Sequence, residues 1–306
     1  MSVNELPSPQ TVDRARETRA AIARALARYT SLLVHVETES TASDARVTLA
    51  VDLARRFGAA LIGVAAEAPQ PPPGDAYGGL AFIGDVFEEE ERQIRLDLEA
   101  ARNRFEALTH ATELELEWRS SIDNPAQTLS REARSADLIL VGRDLSRLRV
   151  AGVYRSADPG DLLMEAGRPL LVVPPGASSL VAERIVVAWK DAREARRAVW
   201  DALPFLTRAT SVHVVEVTAD ADLQAAARRV REVSAYLKRH GVQAEAEARS
   251  RREVSDADEL ILVAEQNNAD LIVAGAYGHA RFREWIFGGV TADLLKHCPK
   301  CCLLSH

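Results

Sequence analysis

Four glycines frame a stretch near the end of the chain, "GAYGHARFREWIFGGVT", at Gly275, Gly278, Gly288 and Gly289. It follows "ADLIVA", an apolar run of strand type, and precedes "ADLLKH", which reads as a helix. Glycine has no Cβ, so a ligand or another stretch of backbone can approach it closely. Where such a segment runs into a helix, the free N–H groups and the positive end of the dipole suit an anion such as phosphate. Thr291 adds a hydroxyl in the first turn, and His279, Arg281 and Arg283 bring further donors. The spacing alone leaves a second reading open, in which Gly275 and Gly278 form a turn and Gly288 caps a helix.

A second cluster, "HCPKCC" with His306, sets His297, Cys298, Cys301 and Cys302 close in sequence. A C-x2-C spacing suits zinc. However, no second Cys pair exists, and adjacent strand residues point to opposite faces, so Cys301 and Cys302 do not easily share one metal. They are expected to serve as small strand hydrophobes, and no metal is expected. Cys298 sits where a helix ends, a position not expected to lower its pKa. No Ser-His-Asp set, carboxylate pair or metal triad can be assembled, and His35 and His213 are expected in the core or at strand ends. No catalytic residue is therefore assigned.

The elements that must position these groups alternate. At roughly 150 residues per domain, the 306-residue chain holds about two domains. The chain also repeats itself at that scale. "ADLILVGRD" at Ala136 resembles "ADLIVAGAYG" at Ala269, "DLLMEAGRPLLVV" at Asp161 resembles "DLLKHCPKCCLLS" at Asp293, and "SLLVHVE" at Ser31 resembles "RIVVAWK" at Arg184. Strands are expected at 31–37, 60–66, 113–119, 137–142 and 169–173 in the first unit, and at 184–190, 211–217, 242–248, 270–274 and 301–304 in the second. Helices are expected near 42–57, 86–110, 125–135 and 160–167, then near 192–207, 221–240, 255–268 and 289–297. Alternating β and α elements specify a parallel sheet with helices on both faces. The apolar runs "LLVHV", "RIVVAW" and "DLIVA" suit strands buried on both faces.

The expected fold class is α/β, two tandem flavodoxin- or Rossmann-like domains of five parallel strands each. The expected division is a helical extension at 1–30, a first domain at 31–176 and a second at 182–306, joined through "VPPGASSLVAE". "APQPPPGDAYGGLAFIGD" reads as a long loop, and "DVFEEEERQIRLDLEAARNRFEALTH" as an acidic helix with a solvated face. In such sheets ligands bind outside the carboxyl ends of the strands, where strand order reverses.

A net charge of -7 argues against a nucleic-acid partner, and no apolar run is long enough for a membrane span. The N-terminal stretch, read as a helix from Val12 to Arg28, lacks the apolar core of a signal peptide. Three Cys fit a reducing cytoplasm.

With these motifs in place, the chain resembles a tandem universal stress protein over nearly everything after residue 30. The pattern G-x2-G-x9-G-(S/T), that family's ATP signature, is met by Gly275, Gly278 and Gly288, with Gly289 in place of the hydroxyl residue and "VT" following. The resemblance implies an adenine nucleotide, ATP with Mg²⁺, bound in the second domain of a cytoplasmic stress-response protein, with at most slow ATP hydrolysis. The residues it implies are Ala188, Trp189, Lys190, Val215, Ala274, Gly275, Gly278, His279, Arg281, Gly288, Gly289, Val290 and Thr291. Lys190 stands where the family has an Asp, with Asp191 one residue later, and Trp189 either stacks on a base or belongs to the core.

The first domain has Leu145 in place of the second Gly, Ser156 and Ala157 in place of the later pair, Asp158 and Asp161 near the helix start, and Glu37 at the strand end. It reads as a copy that does not bind nucleotide. The last strands, 169–173 and 301–304, are candidates for pairing, within one chain as a pseudo-dimer or between chains as a homodimer. The alternative function is a scaffold, or a binder of another small molecule, whose Gly segment is only structural.

Overall fold

The fold comes from a computed structural model of the protein, which describes residues 28–38, 41–70, 83–143, 154–252, 255–276 and 289–306. The helix expected at Val12–Arg28 and most of the Pro-rich loop lie outside them. The strands are β1 (Ser31–His35), β2 (Ala60–Glu67), β3 (Leu116–Ile122), β4 (Leu138–Gly142), β5 (Leu170–Val173), β6 (Arg184–Ala188), β7 (Ser211–Thr218), β8 (Ala244–Ser250), β9 (Leu271–Gly275) and β10 (Cys301–Ser305). The helices are α1 (Thr41–Phe57), α2 (Ile83–Thr109), α3 (Pro125–Glu132), α4 (Pro159–Glu165), α5 (Arg193–Asp201), α6 (Leu203–Leu206), α7 (Leu223–Arg239), α8 (Asp256–Gln266) and α9 (Val290–His297).

The ten strands among the described residues form one sheet in the order β3-β2-β1-β4-β5-β10-β9-β6-β7-β8. Each half is a parallel five-stranded Rossmann-like unit, and the two halves read as mirror-ordered copies. The halves join where β5 and β10 run antiparallel, with Val172 opposite Cys302 and Leu170 opposite Leu304. The expected pairing of the last strands is thus made within one chain.

Burial follows strand position. The inner strands are apolar on both faces: Leu32, Leu33 and Val34 of β1 and Leu271, Ile272 and Val273 of β9 are fully buried. The edge strands β3 (LEWRSSI) and β8 (AEAEARS) interleave charged residues, which guards an open edge against further pairing. One core layer lies beneath α1, α2, α5, α6 and α7, and the other beneath α3, α4, α8 and α9; each runs through both halves.

Some expected boundaries shift. The helix expected at 192–207 is two helices, because Pro204 lacks an N–H and enters the first turn of α6 rather than continuing α5. The strand expected at 113–119 lies at Leu116–Ile122, since an edge strand with charges every second residue gives little apolar signal. The helix expected at 86–110 starts at Ile83, inside the stretch read as loop.

Two buttresses recur in both halves. Asp137 Oδ2, just before β4, accepts from the Thr30 and Ser31 N–H groups at 2.7 and 3.2 Å. Asp270 Oδ2, just before β9, accepts from Val181 and Ala182 at 3.0 and 2.9 Å. Each ties the chain entering the first strand of a half to the strand beside it.

Across the joint, Tyr29 and Phe57 meet Phe205 edge-to-face, with ring centroids 5.7 and 5.1 Å away. Arg208 lies 4.8 Å over the Phe57 ring, and the Tyr29 hydroxyl donates to the Asp201 carbonyl at 2.6 Å.

Candidate functional site

The strand order reverses twice, between β1 and β4 and between β6 and β9. At the second reversal β6 and β9 lie side by side with Ala188 opposite Ala274. The Trp189 N–H donates to the Val215 carbonyl at 2.7 Å, continuing the ladder past the end of β6. Gly275 pairs with Ser305, and the Ala276 N–H donates to the Ser305 carbonyl at 2.8 Å. Ala188, Val215 and Ala274 share a core layer with Val290 of α9. The fold therefore gathers these strand ends and the start of α9 at the carboxyl edge of the sheet. Gly278, His279, Arg281 and Gly288 lie outside the described residues.

The two described glycines of the motif have different reasons. A Cβ on Gly275 would stand 2.3 Å from the Ala195 backbone N and 2.5 Å from the Glu194 backbone carbon. What approaches Gly275 is thus the first turn of α5. Gly289 has nothing within 4 Å of such a Cβ, but its φ of +107° is one that L side chains rarely adopt. That conformation accounts for Gly in place of the Ser or Thr of the motif. Gly289 is also the N-cap of α9 and offers no side-chain cap, so the first N–H groups of the helix keep no such partner.

Around this edge lie buried polar atoms with no hydrogen-bond partner among the described residues: Trp189 Nε1, Glu194 Oε2 and Ser305 Oγ. Trp189 packs against the core layer beneath α5, so its body belongs to the core while its N–H is left over. Burial pushes the Glu194 carboxyl up, but the Arg193 hydrogen bond and its own N–H bring it below the ordinary range. Lys190 is exposed, and Asp191 pairs with Arg196 at 2.5 Å.

The corresponding edge of the first half is filled by its own side chains. A Cβ on Gly142 would stand 2.2 Å from Arg46 Nη1. Arg46 pairs with Glu37 at 3.3 Å and donates to the His35 carbonyl at 3.0 Å, all within the interior. Arg155 pairs with the buried Glu67 at 2.7 Å, and the Thr38 hydroxyl donates to the same carboxylate at 3.0 Å. Here α4 is capped: Asp158 accepts from the Asp161 N–H at 2.9 Å. Burial, then the Asp158 charge, pushes the Asp161 carboxyl up.

His35 is buried with no partner for Nε2 among the described residues. Burial is the main cause that lowers its pKa from 6.5 to about 4; Glu37 opposes and Arg46 assists. The unfolded chain therefore binds the extra proton first. This contribution is complete above pH 6.5 and is lost as pH falls towards 4. At about 1.4 kcal/mol per unit, its loss is on the order of 3 kcal/mol. Urea unfolding of wild type and His35→Gln between these pH values checks this; the variant is expected to lose less stability over the same range.

Cys301 faces one core layer, and Cys298 and Cys302 face the other, as the alternation of a strand requires. The Cys298 thiol is lowered, not by its place at the helix end but chiefly through the neighbouring Cys302 thiol, with the Lys300 N–H as a further donor; burial opposes the change. The missing signal was the four-residue spacing that returns Cys302 to Cys298 across a tight turn. His213 is half-buried on β7, 3.6 Å from Glu245. Among the described residues no group of three or more His, Cys, Asp or Glu side chains could hold a metal, and no helix is long and apolar enough to cross a membrane.

Residues 182–306 match the model of the universal stress protein family. The whole tandem fold is similar to a universal stress protein from Archaeoglobus fulgidus, at 14% identity and TM-score 0.65, covering 89% of this chain and 97% of that one. It is also similar to a functionally unknown protein from Pseudomonas aeruginosa, at 16% identity and TM-score 0.53, covering 93% of this chain and 94% of that one. A universal stress protein in complex with cAMP matches at 23% identity and TM-score 0.32, covering 48% of this chain and 98% of that one. A comparison with curated proteins gave no match.

Proposed function

We propose that the chain is a cytoplasmic stress-response protein that binds one adenine nucleotide, ATP with Mg²⁺, in its second unit at 182–306. The first unit, at 31–176, is a silent copy that completes the sheet. One contrast carries this reading. At the reversal in the second half, α9 starts on an uncapped Gly289, beside strand ends that leave polar atoms unpartnered among the described residues. At the reversal in the first half, Arg46 and Glu37 stand against Gly142 and Asp158 caps the helix.

Phosphate suits the uncapped N-terminus of α9 through backbone N–H groups and the helix dipole. Thr291 in the first turn supplies a hydroxyl, and Gly278, His279, Arg281 and Gly288 complete the proposed set. Ala188, Trp189, Lys190 and Val215 would border the base and sugar. Binding rather than turnover is the proposed activity, with hydrolysis slow at most; Asp293 in the first turn of α9 and Glu194 are the carboxylates of this edge.

The fixed Gly275 favours the alternative to one degree only, since α5 alone is enough to require that glycine. The test is calorimetric titration of nucleotide-free protein with ATP and Mg²⁺. A single site per chain is expected, weakened by roughly tenfold or more in Gly289→Val, the scale of one hydrogen bond to a charged group. Thr291→Val, which leaves the helix start intact, separates lost contact from distorted backbone. Unchanged affinity in both variants would remove the site from α9.

A further inference from the structure

A cavity of about 350 Å³ lies between the edge strand β8 and α8, lined by Glu247, Arg249, Ser250, Arg252, Glu259 and Gln266. None of the residues at the β6/β9 reversal lines it. The volume is enough for a small organic molecule.

Arg249 is fully engaged. Its Nε donates to Glu247 at 2.7 Å, Nη1 to Glu259 at 2.9 Å and Nη2 to Gln266 at 2.8 Å. Glu259 is only 1% exposed, and its Oε1 is the atom that Arg249 reaches. Its other oxygen, Oε2, has no hydrogen-bond partner among the described residues. Arg252 Nε lies 3.9 Å from it, beyond hydrogen-bond reach, on a side chain 64% exposed. A buried carboxylate oxygen left unpaired is costly, and it accepts but cannot donate.

Glu247 and Glu259 line the cavity with Arg249 and Arg252, two carboxylates against two guanidiniums. Arg249 serves both carboxylates, so the acceptor left over is Glu259 Oε2.

We propose that this cavity binds a small monocationic amine, whose ammonium group donates to Glu259 Oε2. Arg252, at the mouth, competes for the same oxygen. The site stands apart from the nucleotide reading and does not depend on it.

The probe is butylammonium chloride, titrated into the full chain and followed by NMR, with butanol as its neutral counterpart of similar shape. Butylammonium is expected to bind and butanol not. Arg252→Ala removes the competing cation and should bind butylammonium more tightly than wild type. Glu259→Gln keeps the shape and removes the charge; it should weaken binding by roughly tenfold or more. Binding seen only in Arg252→Ala would still place the amine on Glu259, with Arg252 as its rival. Equal binding of amine and alcohol, unchanged binding in Glu259→Gln with its circular dichroism intact, or no binding in either wild type or Arg252→Ala would overturn the proposal.

Discussion

Arg46→Ala is expected to lower the unfolding free energy by about 3–5 kcal/mol, the usual cost of removing one partner from a buried ion pair. Both side chains are nearly inaccessible, at 3% for Arg46 and 4% for Glu37. Without the guanidinium, the Glu37 carboxylate stays in the interior beside His35, and the space against Gly142 is left empty. Urea unfolding measures the loss. A paired change of Arg46→Met and Glu37→Met should recover most of it, because two apolar groups of similar volume remove both charges from the interior. A loss below about 1 kcal/mol, the range of an exposed pair, would show that Arg46 does not hold this edge.

Phe205→Ala is expected to cost a similar amount, about 3–5 kcal/mol, the range for deleting a buried aromatic ring. Phe205 is 1% exposed and meets both Tyr29 and Phe57, which come from the first half of the chain. The substitution removes its own packing and loosens the joint between the halves. Unfolding followed by both tryptophan fluorescence and circular dichroism should therefore lose coincidence between the two probes, a departure from all-or-none behaviour. Trp200→Ala, at a side chain 58% exposed, is the control and should stay within about 1 kcal/mol.

Much of this was legible in the sequence. The apolar runs of β1, β6 and β9 placed the buried centre of each half, and the repeated "ADLI" segments disclosed the duplication. The edge strand β3 and the break at Pro204 were less legible, because neither carries a long apolar period. The role of Asp in the "ADLI" repeats was invisible, since a carboxylate accepting backbone N–H groups from a distant segment leaves no local pattern.

The site was legible in part. The position of the Gly segment at a strand end beside a reversal follows from the alternation of elements. That Gly275 answers to α5 does not, because the contact joins residues 80 positions apart. Arg46 was missed for a related reason: in sequence it is one of many Arg on a helix, and only the fold sets it against Gly142.

The most direct test of nucleotide binding is to purify the full chain, denature it and identify by mass any small molecule released, then titrate the emptied protein with ATP and Mg²⁺. An adenine nucleotide released, or heat saturating at a single ATP per chain, is the predicted result. No nucleotide released and no heat on titration would contradict it, and the Gly segment would then be structural, with a scaffold or another small-molecule binder as the remaining reading.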